Sequence, residues 1–253
     1  MYPSDLTDKG WEVLAPFFQR PAPRGNPGKF AKRDIVNAIL YVTKGGIQWR
    51  MIPKDFPPWD TVYDHFRRRN KRGVWEQVLD ALNALHRQRQ GRKPEPSYAI
   101  IDSQSVKTQY ASDERGIDGE KKVKGRKRHI ATDILGNLLA VIVHAANRAD
   151  TTEGIRVCMQ AVDKHLSIEA FSADAGYQDT TVEWVDEWLN RRVDISKKPP
   201  QGFEVLPKRW VVERTLSWLG GFRRLAKDFE ILTTTAENMI RIAMIKVTVA
   251  KCI

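Results

Sequence analysis

The chain has 253 residues, 42% of them apolar and 29% charged, with a formal net charge of +11. That composition excludes a disordered or fibrous chain and allows one or two domains with a sizeable core. Its longest apolar run, Leu138 to Ala146, falls far short of the roughly 20 residues of a membrane helix, and the N-terminal segment lacks a signal-peptide core. Two cysteines, Cys158 and Cys252, are too few for a disulfide framework or a thiolate zinc site, so a reducing, cytoplasmic setting without a membrane is expected.

Charge is unevenly placed. Residues 1–93 hold 18 Lys and Arg against 9 Asp and Glu, and residues 94–253 hold 24 against 22. A local basic surplus favours polyanions, because each neutralised phosphate releases counterions. The first 93 residues are predicted to be all-helical, with apolar periodicity over 7–18, 31–44, 60–70 and 73–88. The third of these helices has Asp60 or Thr61 as its cap, packs Val62, Tyr63 and Phe66 inward, and ends in Arg67, Arg68, Arg69, Lys71 and Arg72. Helix, Gly- and Pro-rich turn and basic helix in series suggest a helix-turn-helix element on DNA. A surface helix with a solvated basic end is the plainer alternative.

The segment "RQRQGRKPEPS" (87–97) interrupts the helical period and divides the chain into 1–93 and 94–253. Strands are predicted over 97–108, 127–136 and 137–146, the last two joined by a hairpin turn at Gly136-Asn137. A helix capped by Asp150, a strand ending at Asp174, a helix capped by Thr180, a strand in "RRVDISKK" and a helix within 207–230 follow. The order β-β-β-α-β-α-β-α gives a mixed sheet with flanking helices. Asp102 stands within the first strand and Asp174 at the carboxyl end of a later one, where sites form in open sheets. Side by side, the two carboxylates repel and require a counter-charge. Glu213, on a helix that buries Val212, Leu216 and Leu219, can reach the same edge. Three hard oxygen donors without a cysteine cluster or a histidine pair favour Mg²⁺ or Mn²⁺ over zinc. The five histidines are dispersed and suggest no chemistry.

The stretches "IIDSQSVKT", "FSADAGYQD" and "RWVVERTLSWLGGFRRLAKDFE", carrying Asp102, Asp174 and Glu213, resemble the DDE transposases of bacterial insertion sequences, most closely the insertion sequence five family. "LTDKGWEVLAPFF" and "GGIQWRMIPKDFPPWDTVYDHF" extend the resemblance to that family's DNA-binding region. It implies a ribonuclease-H-like catalytic domain over 94–253 behind a helical DNA-binding domain over 1–93. It further implies two Mg²⁺ or Mn²⁺ ions held by Asp102, Asp174 and Glu213, cleavage and strand transfer at the terminal inverted repeats of an element, and a homodimer or larger assembly on double-stranded transposon-end and target DNA.

The family's signature around the third acid runs Tyr, two residues, Arg, three residues, Glu, six residues, Lys or Arg. Arg209 and Glu213 match; Leu206 stands in place of the tyrosine and Gly220 in place of the base. Arg224, eleven residues past Glu213, is the candidate replacement if the helix continues past Gly220-Gly221. The basic run "KKVKGRKRHI", with Lys124, Arg126, Lys127 and Arg128, is a second candidate for DNA backbone contact, an exposed loop being nearly as good a reading. Asp150 is read as a helix cap before an accessory acid. A structure-specific nuclease of the same fold, or an inactive transposase remnant acting as a repressor, is the alternative function.

Overall fold

The computed structural model describes residues 2–19, 28–196 and 208–253. Four helices come first: α1 (Asp8–Phe18), α2 (Lys32–Gly45), α3 (Trp59–Lys71) and α4 (Val74–Arg89). Thr7 caps α1 by accepting from the Gly10 N–H. The residue before α3 is Pro58, with no side-chain cap bond, so neither Asp60 nor Thr61 caps this helix. Val62 and Phe66 are buried as expected, but Tyr63 is 41% exposed.

The second half forms β1 (Tyr98–Lys107), β2 (Gly116–Asp118), β3 (Val123–Thr132), β4 (Leu138–Ala145), α5 (Asp150–Lys164), β5 (Ala170–Asp174), α6 (Thr180–Leu189), β6 (Arg192–Ser196), α7 (Arg209–Gly220) and α8 (Thr233–Val249). β1 lies antiparallel to β3 and parallel to β5, β5 lies parallel to β6, and β2 and β4 share the outer edge of β3. The hairpin between β3 and β4 turns where the sequence places it. Gly136, at φ +82°, takes the left-handed conformation the turn needs, and its N–H donates to the Asp133 carbonyl. This curled mixed sheet, flanked by helices on both faces, is the ribonuclease-H-like arrangement.

Several expectations are corrected. β2 is an added three-residue strand, and α8 follows the helix expected to close the chain. The 207–230 segment is a helix only to Gly220, followed by a single 3₁₀ turn at Arg223–Leu225. Asp150 and Thr180 are the first helical residues of α5 and α6 and cap neither; Ala149 and Asp179 stand at the cap positions.

The two faces of the sheet bury separate clusters. On the α5/α6 face Ala99, Ile101, Phe171 and Ala173 meet Val157 and Val185. On the other face Ile100, Ile130 and Val141 join Val212, Leu216, Ile240 and Met244 in a core that continues through Leu82, Trp75, Phe66 and Ile39. The four N-terminal helices and α8 therefore share one core. The 87–97 crossing is pinned as well: Arg87 pairs with Asp133 at 2.6 Å and donates from Nε to the Lys93 carbonyl at 2.8 Å.

Candidate active site

Side chains alternate across a strand, so the face of each acid follows from its neighbours. Ala99 and Ile101 belong to the α5/α6 cluster, which turns Ile100 and Asp102 toward α7. Phe171 and Ala173 likewise turn Asp174 toward α7. The parallel ladder pairs Tyr98 with Ala170 and Ile100 with Ser172, and Asp102 and Asp174 each stand two residues beyond its last pair. α7 lies over this face through Val212 and Leu216, and Arg209 and Glu213, one turn apart, flank that packed stripe.

Arg209 joins the acids. Its Nη2 lies 3.4 Å from Asp174 Oδ2 and its Nε 3.0 Å from Glu213 Oε1. The second contact is an ion pair rather than a hydrogen bond, because Nε is buried and not aligned on any acceptor. Asp102 accepts from its neighbour's amide, Ser103 N–H, at 2.7 Å, and Asp174 Oδ1 accepts from Gly176 N–H at 2.8 Å. Burial pushes the Asp102 carboxyl up to about 6; the Ser103 amide opposes that shift, and the charge of Asp174 adds to it. Among the described residues no three His, Cys, Asp or Glu side chains stand close enough together to hold a metal ion as they lie. The donor set nonetheless fits a hard divalent cation. Two carboxylates, Asp174 and Glu213, meet one guanidinium, whose charge also acts on the desolvated third, Asp102, and that guanidinium leaves its own Nε unbonded.

The basic residues divide. Arg67 and Arg68 are exposed and share Asp64 at 3.3 and 2.6 Å; Lys71, Arg72 and Lys124 are exposed too. Arg67 and Lys71 line a groove of about 790 Å³ together with Trp49, Trp59 and Tyr63. The others are largely buried and are engaged within the protein. Arg69 lies over the Phe18 ring and donates to the His65 carbonyl. Arg126, wholly buried, donates to the carbonyls of Asp113, Glu230 and Ile231 and pairs with Asp228 at 3.0 Å. Lys127 pairs with Asp150 at 3.0 Å, and Arg128 donates to the Leu225 carbonyl at 2.8 Å. Arg224 pairs with Glu230 at 2.7 Å in the turn after α7, so it does not return to the face of Glu213. A Cβ at Gly220 would meet nothing within 4 Å, so packing does not demand glycine there. Leu206 lies outside the described residues.

Sequence reasoning missed the polar side chains behind the acids. Ser103 Oγ donates to Asp150 Oδ1 at 3.0 Å, and Tyr177, His129 and His144 are buried in mutual contact. No spacing in the sequence marks the histidines: His129 stands opposite Ile142 and His144 opposite Lys127 in the β3–β4 ladder, so the two rings meet on a diagonal.

The sequence profile of the transposase DDE domain matches residues 93–246, and that of the family described as "Putative transposase of IS4/5 family" matches residues 6–79. Two proteins of Burkholderia cepacia are similar. The insertion element IS402 uncharacterized 16.2 kDa protein is 28% identical over 117 residues, 44% of this chain and 78% of that protein. The "Putative transposase for insertion sequence element IS402" is 33% identical over 115 residues, 42% of this chain and 54% of that protein, so the match spans about half of its length. No helix among the described residues is long and apolar enough to cross a membrane. With its ribonuclease-H-like sheet and a profile match over most of its length, the chain belongs to the DDE transposase family.

Proposed function

We propose that the chain binds the terminal inverted repeats of an insertion sequence and catalyses strand cleavage and strand transfer, with Asp102, Asp174 and Glu213 as ligands of two Mg²⁺ or Mn²⁺ ions. The observation supporting this most directly is Arg209, which contacts both Asp174 and Glu213 while its charge and that of Asp174 act on the Asp102 carboxyl. When bound, such ions supply a Lewis acid that activates a water or a 3′-hydroxyl and stabilises the leaving oxygen. The protein's own part is to organise charge. Asp102 must shed its proton before it can act as a ligand, so a proton competes with the cation for this carboxyl. Arg209 must leave Asp174 and Glu213, and its guanidinium is then free for a DNA phosphate. Arg67, Arg68, Lys71, Arg72 and Lys124 present exposed positive charge to the backbone of double-stranded DNA. Joining two ends of one element calls for a homodimer or larger assembly on DNA.

The test uses a plasmid carrying the DNA that flanks the gene. Wild-type protein should nick it in Mg²⁺ and not in chelator, while Asp102→Ala, Asp174→Ala and Glu213→Ala should bind the same DNA without cutting it. Nicking by any of the three removes that residue from the ligand set. Cutting that ignores the flanking repeats favours a structure-specific nuclease.

A further inference from the structure

Two of the proposed ligands, Asp102 and Asp174, stand on β1 and β5, yet the ladder joining those strands runs only from Tyr98–Ala170 to Ile100–Ser172. At the level of Asp102 and Asp174 the described residues contain no β1–β5 pairing, so the ladder does not set the distance between the carboxylates. On the opposite face of the sheet a chain of buried side chains spans that gap. Tyr177, 2% exposed, closes the 3₁₀ turn that follows Asp174, and its hydroxyl lies 2.5 Å from His129 Nε2. His129 Nδ1 lies 3.1 Å from His144 Nε2, and His144 Nδ1 lies 3.0 Å from the Ala145 carbonyl.

A carbonyl only accepts, and this fixes every proton in the chain when both rings are neutral. His144 donates from Nδ1 to Ala145 and accepts at Nε2 from His129 Nδ1–H. His129 then accepts at Nε2 from the Tyr177 O–H. Burial keeps the rings neutral, lowering His129 to about 3 and His144 in the same direction. His129 is opposite Ser103 in the β1–β3 ladder, which runs unbroken from Ile100 to Lys107, so Tyr177 ties the end of β5 to β1 through β3. Helix α5 leaves room for its ring: a Cβ on Gly154 would stand 2.6 Å from Tyr177 Cδ1.

We propose that Tyr177, held by His129 and His144, is a positioning residue that sets the spacing of the Asp102 and Asp174 carboxylates and thereby the affinity of their site for a divalent cation. This rests on the reading of those two acids as ligands. Without the hydroxyl, His129 Nε2 is buried without a donor and the Asp174 end of β5 is free to shift against β1. The ring itself packs as before.

Tyr177→Phe is the test, with full-length wild type and Asp174→Ala beside it, each titrated with Mn²⁺ by electron paramagnetic resonance. Melting in chelator and nicking of supercoiled plasmid are measured in parallel. Tyr177→Phe should bind Mn²⁺ about fivefold or more weakly, as expected for one net hydrogen bond, and recover most of its nicking rate when Mn²⁺ saturates. Asp174→Ala should neither bind nor nick at any concentration. A merely structural tyrosine would lower the melting temperature and leave Mn²⁺ affinity at the wild-type value, and that result overturns the proposal. If Asp174→Ala fails as expected while Tyr177→Phe binds normally, the strut alone is wrong. Wild-type binding and nicking by Asp174→Ala sink the ligand reading and the strut with it. Nitrogen-15 spectra of the wild-type histidines give an independent check that needs no variant: both rings should be protonated at Nδ1, and a proton on His129 Nε2 contradicts the Tyr177 bond.

Discussion

Residues 67–72 at the end of α3 and residues 121–128 at the start of β3 carry similar densities of Lys and Arg, and the fold treats them in opposite ways. The helix has one buried stripe, occupied by Val62 and Phe66, so most of its cations fall on the solvent side. Strand β3 is central, with β1 on one edge, β2 and β4 on the other and helices over both faces, so alternation offers its cations no way out. Lys121, Lys122 and Lys124 precede the covered part and are exposed; Arg126, Lys127 and Arg128 lie within it and are buried. A basic run therefore reports a polyanion site only when the element beneath it has a free face.

The largest effect expected from this contrast is on Arg126. Its guanidinium serves three carbonyls and Asp228, joining β3 to the segments at 113 and 228–231. Arg126→Met leaves Asp228 buried without its partner, which costs about 3–5 kcal/mol. Urea unfolding checks this. A loss below about 1 kcal/mol would mean that Arg126 is not the structural residue its burial indicates.

Asp102 sharpens the contrast as a half-buried carboxyl without so complete a set of partners. Its carboxyl is raised from 3.8 to about 6, so the folded protein holds a proton there that the unfolded chain has released. A raised carboxyl contributes its stability below about 4 and loses it as pH rises through about 6. Asp102→Asn should match wild type near pH 4 and exceed it above pH 6.5 in chelator, by up to about 2–3 kcal/mol. Asp174 and Glu213 have Arg209 as counter-charge, which offsets the repulsion that three adjacent acids alone would produce. The stabilising substitution thus belongs at Asp102 rather than Asp174. Mg²⁺ should reverse the order by stabilising wild type alone. An Asp102→Asn advantage independent of pH would refute the assignment of the shift.

Much of this was legible in the sequence, for identifiable reasons. α1 to α4, the β3–β4 hairpin and the alternation around Asp102 and Asp174 follow from local periodicity and from Gly136, signals that need no tertiary information. The strand β2 is three residues long, too short to show a period. α8 buries residues nearly all round, from Ala236 and Met239 to Met244 and Ile245, so it lacks the one-sided stripe that marks a surface helix. Arg224 was a candidate only if the helix continued past Gly220-Gly221; α7 ends there, with Gly221 at the cap position, and Arg224 falls in the following 3₁₀ turn. Tyr177, His129 and His144 meet only through strand register and a turn after β5, so no linear spacing reveals them.

A smaller effect, about 1–2 kcal/mol, is expected of Arg69, the inward member of the helical cluster. It lies 5.1 Å from the Phe18 ring centroid, and burial lowers its pKa to about 10. Arg69→Ala removes a cation–π interaction and aliphatic packing. DNA affinity should be unchanged at any salt concentration, and a fall in the salt slope would place this side chain on the DNA after all.

The smallest effect on stability should come from the outward members together. Arg67→Ala, Arg68→Ala, Lys71→Ala and Arg72→Ala in one protein break exposed ion pairs to Asp64 at 3.3 and 2.6 Å, and such pairs contribute about 0–1 kcal/mol. Relief of repulsion among four neighbouring cations offsets part of even that. DNA binding should respond differently, because each phosphate that the protein no longer neutralises lowers the slope of log affinity against log salt by about 0.9. If all four touch phosphate, the slope falls by roughly 3 to 4 while the melting temperature barely moves. Affinity measured from low to high salt for the quadruple variant and for Arg126→Met separates the two clusters. The quadruple variant should lose slope and keep its fold; Arg126→Met should lose stability, with the folded fraction keeping the wild-type slope. An unchanged slope in the quadruple variant would show that the free face of α3 is a solvated surface and that the polyanion site lies elsewhere.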